Sequence, residues 1–451
     1  MRIALLAVAT AALVLAVSSP AAANGRFPAS NQLVFSPSDP NLVVLRTTFG
    51  ILISHDDGTT WTWLCEDVLG LPPTSNEDPS LGLTANNTMI AGISHGLDVS
   101  PDVGCNWAFA GGGLGNQLVK DVVVRPDAPH TALAITSTFS ADGGADGGAG
   151  YGQQVFASTD DGTTFAPSGA PIDPAAIVTT VEVAKSDPQR LYVSAFRGIG
   201  ATRTASLFVS TDAGGHWTER PSPLDPANES AVYIAAVDPT NADRVYLRSE
   251  GLSRLFVTGD AGKTYQIPVT LKGQMLGFAL SPDGSKVYVG SKEDGLLMAT
   301  SASLAFTQTS TVRVQCLAAR GSELWACSDE PSGFIAGVSQ NDGQSFTAKL
   351  HLNGIDGTVA CAADAAAAVC NGAPYQSLCY NLGGCATDDG GIDGGGAGDD
   401  GGPPVPPPPP RSNSGCSAVG GGSAAVLLSA GAIAAIALRR RRGAPGARGR
   451  R

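Results

Sequence analysis

Six short acidic turns recur along the chain, and their side chains could either brace the backbone or bind a cation. Each copy reads Ser/Thr-x-Asp-x-Gly-x-x-aromatic, with Asn replacing Asp in the last one. Carboxylate oxygens at constant spacing could ligate calcium, but short Asp and Ser side chains also bond the N–H groups of their own turn. We interpret the turns as structural, with calcium binding as the alternative. Their Asp/Asn, Gly and aromatic positions are Asp56, Gly58 and Trp61; Asp102, Gly104 and Trp107; Asp160, Gly162 and Phe165; Asp212, Gly214 and Trp217; Asp260, Gly262 and Tyr265; and Asn341, Gly343 and Phe346.

The elements around these turns are short strands. Before each turn lie runs of β-branched and aromatic residues separated by Pro, Asp, Gly and Asn, as in residues 181–183, 191–193 and 207–209. Such runs predict strands and hairpins. A seventh, eroded copy spans residues 299–306 and keeps only Phe306. Seven repeated units predict an all-β fold, namely a seven-bladed β-propeller with four-stranded antiparallel blades over residues 24–356.

The repeated turn resembles the Asp-box, also called the bacterial neuraminidase (BNR) repeat. The resemblance covers roughly residues 30–350. It implies that the turn joins the third and fourth strands of each blade and has a structural role. Ligands would then bind on the opposite face, at the loops that join the second and third strands. Within this group the chain most resembles sortilin-like and photosystem-assembly-type propellers, which are binding scaffolds.

Charged residues in those loops are the candidates for function. Two carboxylates about 5–9 Å apart can support glycoside hydrolysis, and Glu250 with Asp329 is the pair that could do so. Otherwise no catalytic residue is predicted, and ordinary solvated loop charge is the alternative. The candidates for a binding rim are Arg197, Arg203, Glu250, Glu293, Asp294 and Asp329.

Known catalytic patterns are missing from the sequence. Arg26-Phe-Pro28 does not match the N-terminal motif of sialidases, and no Ser-His-Asp arrangement, phosphate loop or metal-spaced His set is visible. Asp142 and Asp146, in a Gly-rich insert, could bind calcium, but flexible Gly-rich loops commonly contain such residues. We therefore predict no cofactor and no metal.

The N-terminus and the cysteines indicate export. Residues 1–23 are typical of a signal peptide with cleavage after Ala23. Eight cysteines follow in the exported body, and an even number there predicts disulfides. We predict a Cys316–Cys327 bond between adjacent strands and a Cys65–Cys105 bond between neighbouring blades. The remaining four, in a Cys-rich segment over residues 357–386, are expected to pair among themselves, with a zinc site as the alternative: Cys361, Cys370, Cys379 and Cys385.

The C-terminal part is typical of a surface anchor. Residues 387–414 form an Asp/Gly- and Pro-rich stretch that predicts a disordered stalk. Residues 415–451 contain Gly415-Cys416, an apolar stretch long enough to span a bilayer, and an Arg cluster. This arrangement resembles the C-terminal sorting signal of myxobacterial surface proteins, which implies processing near Cys416 and its lipid modification. A plain transmembrane helix is the alternative.

Charge limits the partners. Without the two terminal hydrophobic regions and their arginines, 20 basic side chains face 40 acidic ones. A net charge near −20 argues against nucleic acid or an anionic membrane surface as a partner. We therefore expect a cell-surface propeller that binds an extracellular protein or glycan without catalysis. The alternative function is a glycoside hydrolase or lyase acting on extracellular polysaccharide.

Overall fold

The computed structural model describes residues 29–71, 75–140 and 150–383, which form seven four-stranded antiparallel sheets. Each sheet is built from four consecutive strands, so the chain completes one blade before it enters the next. The predicted all-β, seven-bladed propeller is therefore confirmed. Blades one to three comprise β1 (Ser30–Phe35), β2 (Val43–Thr47), β3 (Gly50–Ser54) and β4 (Thr62–Leu64); β5 (Ser80–Leu83), β6 (Met89–Ile93), β7 (Gly96–Ser100) and β8 (Ala108–Phe109); and β9 (Val119–Val124), β10 (Ala132–Ser140), β11 (Gly150–Ser158) and β12 (Ala166–Pro167).

The other four blades follow the same order. Their strands are β13 (Ile177–Ala184), β14 (Asp187–Arg197), β15 (Thr204–Ser210) and β16 (Thr218–Ser222); β17 (Ala231–Val237), β18 (Val245–Glu250), β19 (Arg254–Thr258) and β20 (Gln266–Thr270); β21 (Gly277–Leu280), β22 (Lys286–Ser291), β23 (Gly295–Thr300) and β24 (Thr307–Ser310); and β25 (Cys316–Arg320), β26 (Glu323–Cys327), β27 (Ala336–Ser339) and β28 (Thr347–Leu350). Short 3-10 helices lie at Glu66–Leu69, Gly200–Thr202, Glu330–Ser332 and Ala366–Cys370, and an α-helix, α1, spans Ala373–Asn381.

The first strand of every blade lines the centre of the ring. These seven inner strands pack side by side, and β25 of blade seven contacts β1 of blade one, which closes the circle. Apolar side chains from facing sheets fill the spaces between blades; Trp61 and Trp325 are among the largest fully buried ones. Such radial packing hides most sheet edges.

The six acidic turns share one hydrogen-bond pattern, and each joins the third and fourth strands of its blade. The Ser or Thr hydroxyl donates to the Asp or Asn side chain at 2.7–2.9 Å. The same hydroxyl accepts the Gly N–H at 2.7–2.9 Å. The residue before each Gly also has a positive φ, so two consecutive left-handed residues reverse the chain. We call the side of the ring that carries these turns the turn face.

The eroded copy in blade six forms a different turn at the same place in the blade. Thr300 and Ser303 bond through their hydroxyls at 2.9 Å, and Leu304 takes the positive φ. Phe306 still packs against the apolar core between blades. The aromatic position is therefore retained where the polar pattern is lost.

The disulfides agree with the sequence prediction in one case and contradict it in the others. Cys316 and Cys327 are bonded across paired strands, as predicted. The predicted Cys65–Cys105 bond is wrong, because Cys65 pairs with Cys370 and Cys105 pairs with Cys361. The prediction that the last four cysteines pair among themselves is wrong for Cys361 and Cys370. It stays a prediction for Cys379 and Cys385, because Cys385 lies outside the described residues. Cys379 is also disulfide-bonded.

The physical reason is the course of the chain after blade seven. Beyond β28 the chain returns to blade one, where Thr358 pairs in parallel with Trp63 of β4. The N–H of Trp63 donates to the carbonyl of Gly357 at 2.8 Å, and the N–H of Val359 donates to that of Trp63 at 3.0 Å. This return segment, residues 355–383, therefore crosses the junction where the ring closes. Its two disulfides bind it to blades one and two.

Disulfides place the protein in an oxidising, extracellular environment. Within the described residues, no helix combines the length and apolar character needed to cross a membrane. The predicted signal peptide, stalk, Cys385, Cys416 and C-terminal apolar segment lie outside those residues, as do Asp142 and Asp146.

Candidate functional site

A cavity of about 690 Å³ occupies the centre of the ring. Residues from the inner strands of all seven blades line it, and Ser94, in the loop between β6 and β7, lies at its edge. The cavity therefore opens toward the loops that join second and third strands. We call this opening and its lining the channel mouth.

Most of the predicted rim residues are engaged in structural contacts. The Arg197 guanidinium pairs with Glu219 and, at 2.7 Å, with Asp173. Asp329 is largely buried and pairs with Arg313 at 2.9 Å. The charges of these two candidates are therefore already neutralised by ion pairs within the protein.

The two acids of blade six show a similar arrangement. Asp294 accepts the N–H groups of Lys272 and Gly273 at 2.9 and 3.0 Å, which joins blade six to the chain leaving blade five. Burial alone would raise the Asp294 pKa, but these hydrogen bonds outweigh it and lower the pKa. Glu293 lies close to Gly273. A Cβ added to Gly273 would come within 1.6 Å of a carboxylate oxygen of Glu293.

The proposed catalytic pair is not brought together by any contact among the described residues. Glu250 accepts the hydroxyl of Ser230 at 2.5 Å and that of Tyr233 at 3.3 Å. Glu250 ends a strand of blade five, whereas Asp329 lies on blade seven with Arg313 as its partner. The contacts of these two carboxylates are thus separate.

Two rim candidates do converge on one side chain, Tyr233. Burial, and then the Glu250 charge, raise the pKa of Tyr233 to about 12 against the opposing charges of Arg248 and Arg203. The Arg248 guanidinium lies 5.6 Å from the Tyr233 ring centroid. Arg203 stacks on Phe196, 5.2 Å from that ring centroid. Blade five therefore contributes the Tyr233 ring and the Arg248 guanidinium to the channel mouth, and the charges of Arg203 and Glu250 act on that ring.

Sequence reasoning missed two acids on the inner strands. Asp121 accepts hydrogen bonds from the Ser80 hydroxyl at 2.9 Å and from the N–H groups of Val122 and Val181 at 3.0 and 3.1 Å. It therefore connects blades two, three and four. Burial raises its pKa to about 6 against those hydrogen bonds.

Glu182 lies on the inner strand of blade four, two residues beyond Thr180, which lines the cavity. Burial, and then the Asp121 charge, raise the Glu182 pKa to about 8. The sequence pattern that could have identified Glu182 is a charged residue within an apolar strand, as in Val181-Glu182-Val183. A carboxyl with this pKa is protonated at neutral pH and can donate a proton.

Metal binding has no support among the described residues, since no group of three or more His, Cys, Asp or Glu side chains is placed to hold an ion. What these residues do offer is a polar, open cavity with two aromatic rings, Tyr233 and Phe278, and the cationic side chains of Lys120 and Arg248.

Comparisons with known proteins concern the fold. No protein-family model matches the sequence, and no curated protein matches it significantly. A GH74 enzyme of Niastella koreensis is 17% identical, with a TM-score of 0.29 over 71% of each chain. An ancestral GH74 enzyme is 15% identical, with a TM-score of 0.49 over 72% of this chain and 46% of its own. YCF48 bound to D1 peptide is 15% identical, with a TM-score of 0.33 over 51% of this chain and 65% of that one. These likenesses assign no activity.

Proposed function

We propose that the protein is an exported, surface-anchored propeller whose channel mouth binds an extracellular glycan or protein without chemical turnover. The observation that carries the proposal is the difference between the rim and the cavity. Carboxylates such as Asp294 and Asp329 are engaged in structural contacts, whereas the cavity is open and is lined by polar side chains from blades one to five. A site of this size, between about 300 and 1,000 Å³, is typical of ligand pockets.

Export and anchoring belong to the same proposal. It takes residues 1–23 as a signal peptide and the C-terminal region as a membrane helix or a sorting signal processed at Cys416. The three fully described disulfides support passage through an oxidising compartment. Mass spectrometry of the mature C-terminus tests the anchor, since peptides beyond Leu438 on the exported form would contradict processing.

Assignment of the repeated turns to the Asp-box group is also part of the proposal. The shared hydroxyl–carboxylate–amide pattern supports a bracing role for the six Asp or Asn side chains. On that basis ligands bind at the channel mouth, away from the turn face.

The test of the binding function is a glycan array together with a pull-down from cell-surface extract, using the purified full chain. Retention of a defined glycan or protein by the wild type supports the proposal. Absence of any ligand in both assays contradicts it.

A second candidate function, glycoside hydrolysis or lyase activity, is favoured by one observation: Asp121 and Glu182 interact electrostatically and both have raised pKa values. A protonated Glu182 could act as a general acid. Asp121 is less suited to catalysis because three hydrogen bonds already hold it. Turnover of a polysaccharide that is abolished in Glu182→Gln, or in Glu250→Gln or Asp329→Asn, would replace the binding proposal with this one.

A further inference from the structure

The carboxylates that line the channel mouth each have hydrogen-bond donors. Glu77 accepts the Ser94 hydroxyl at 2.7 Å, and Asp78 accepts the Asn31 amide at 3.0 Å. Asp121 accepts three donors, as described above. Their negative charge is therefore already stabilised by protein groups.

Two cations of the same cavity lack a comparable partner. Among the described residues, neither Arg248 nor Lys120 forms an ion pair with a carboxylate. Arg248 donates one hydrogen bond, to the carbonyl of Met275 at 2.8 Å, and otherwise stacks near Tyr233. A guanidinium has five N–H donors and stays charged at any physiological pH. Most donors of this half-buried side chain are therefore left for a group in the cavity.

We propose that the channel mouth binds the carboxylate of a single acidic sugar unit, with Arg248 as the main contact and Lys120 as the second. This inference rests on the proposed binding function and specifies its ligand. A planar guanidinium matches a carboxylate through two parallel hydrogen bonds. The Tyr233 ring beside Arg248 offers an apolar face for the sugar ring. A terminal acidic unit fits better than a polyanion, because the exported body carries a net charge near −20 and repels a long acidic chain.

A sugar fits this cavity better than a peptide. The Gln32 side chain already exchanges two hydrogen bonds with the backbone of Leu81, at 3.1 and 3.2 Å. The hydroxyls of Thr179 and Thr180 are bonded within blade four and to the backbone of blade five. An inserted peptide would bring backbone N–H and C=O groups that these walls cannot satisfy. Sugar hydroxyls can remain in contact with water at the open end.

Calorimetric titration of the purified full chain tests the inference. The probes are methyl glucuronide and methyl galacturonide, with neutral methyl glucoside and methyl galactoside as controls. We expect the acidic glycosides to bind and the neutral ones to bind at least 10-fold more weakly. Added sulfate should compete, since it is an anion without a sugar ring.

The variants separate Arg248 from other arginines. Arg248→Gln should weaken uronide binding about 10- to 100-fold, and Lys120→Gln about 3- to 10-fold. Arg125→Gln is the matched control, because its guanidinium is paired with Asp127 at 2.9 Å outside the cavity. That variant should bind as the wild type does.

Thermal melting distinguishes a ligand-binding role from a structural one. Loss of an unpaired, half-buried charge should leave the melting temperature of Arg248→Gln unchanged or higher. A lower melting temperature with intact uronide binding would overturn the inference. Should Arg248→Gln not fold, Arg248→Lys and Lys120→Gln decide, and wild-type affinity in both would also overturn it.

The outcome also separates this inference from the proposed function. Retention of a neutral glycan or a protein, or of a peptide through its C-terminal carboxylate, without uronide binding, would refute the acidic-sugar ligand and leave the binding function standing. Absence of any ligand in the array, the pull-down and the titration would refute both.

Discussion

The turn face and the channel mouth use carboxyl groups in opposite ways. On the turn face, hydrogen bonds from neighbouring residues lower the pKa of Asp160, and they lower that of Asp260 to about 2. In the channel, burial raises the pKa of Asp121 to about 6 and that of Glu182 to about 8. The folded state therefore stabilises the ionised form of the turn acids and the neutral form of the channel acids.

This difference separates a repeated structural use of carboxyl groups from an arrangement that occurs only around the cavity. The turn residues repeated in six blades form the same hydrogen bonds each time, as expected when a fold repeats one structural unit. The channel groups occur once each, and Arg248 has donors left over. Hydrogen-bond donors that have no protein acceptor and face an open cavity are the groups from which a ligand gains the most binding free energy.

The largest expected effect comes from steric change on the turn face. In Gly343→Ala, a Cβ would lie 2.0 Å from Leu296 Cδ2 at a φ of +78°. We expect a loss of about 3 kcal/mol in the free energy of unfolding, from overpacking and backbone strain together. Gly214→Ala is the matched control, because its φ of +91° is similar but its nearest neighbours are 3.5 Å away. It should cost about 1 kcal/mol. Equal losses in denaturant titrations would contradict this account.

A smaller effect, with a defined pH window, is expected for Glu182. The folded-state pKa of about 8 lies above the ordinary value of 4.5, so the unfolded chain ionises first as pH rises. Stability from this group is full below pH 4.5 and is lost progressively up to about pH 8. Glu182→Gln should therefore raise the free energy of unfolding by about 1–3 kcal/mol at pH 8 and by little at pH 4.5.

Melting curves of both proteins across this range provide the measurement. Parallel pH profiles for wild type and Glu182→Gln would show that Glu182 does not carry the dependence. Asp121→Asn serves as the comparison, and it should destabilise the fold because one carboxylate oxygen that accepts a backbone N–H is replaced by an amide donor.

Asp102 on the turn face should show a modest effect. Asp102→Ala removes the acceptor for the Ser100 hydroxyl and the Asn106 N–H, both at 2.8 Å, and should cost about 1 kcal/mol. Asp102→Asn should cost less than about 0.5 kcal/mol, because Asn341 fills the same position in blade seven and accepts the equivalent bonds. If Asp102→Asn were as harmful as Asp102→Ala in chemical denaturation, negative charge rather than geometry would be the essential feature.

The weakest effect of this series is acid sensitivity of the turns. Their lowered folded-state pKa values give stability that is present above the ordinary value of 3.8 and lost as the pH falls toward 2. Wild-type melting temperature should therefore decline from pH 4 to pH 2, and the decline should be shallower in Asp260→Asn. An unchanged slope would mean that Asp260 contributes nothing to acid unfolding.

The fold was predictable because its signals are local. Each turn specifies its own hydrogen bonds, and the preceding runs of β-branched residues specify the strands. The eroded copy at 299–306 could still be counted, since Phe306 keeps its packing position. Its altered turn could not be foreseen, because Thr300 lies outside the pattern that the other copies share.

Long-range features were less accessible. The bonds of Cys65 and Cys105 depend on the return of the chain past blade seven, and cysteine spacing contains no information on that path. Asp121 and Tyr233 resembled ordinary strand residues, because only ring closure brings the inner strands around one cavity. Rim charges such as Arg197 were visible in sequence, but their neutralising partners Glu219 and Asp173 come from distant positions.

The return segment has a mechanical consequence. Tension applied to the chain beyond residue 383 would reach Cys370 before it reached β28, and from there it would pass through a covalent bond to Cys65 in blade one. The Cys105–Cys361 bond provides a second covalent path into blade two. A force pulling from this end would thus act on covalent bonds before it could separate the strands of the last blade one by one. With both bonds reduced, the same force would act directly on the outer edge of blade seven.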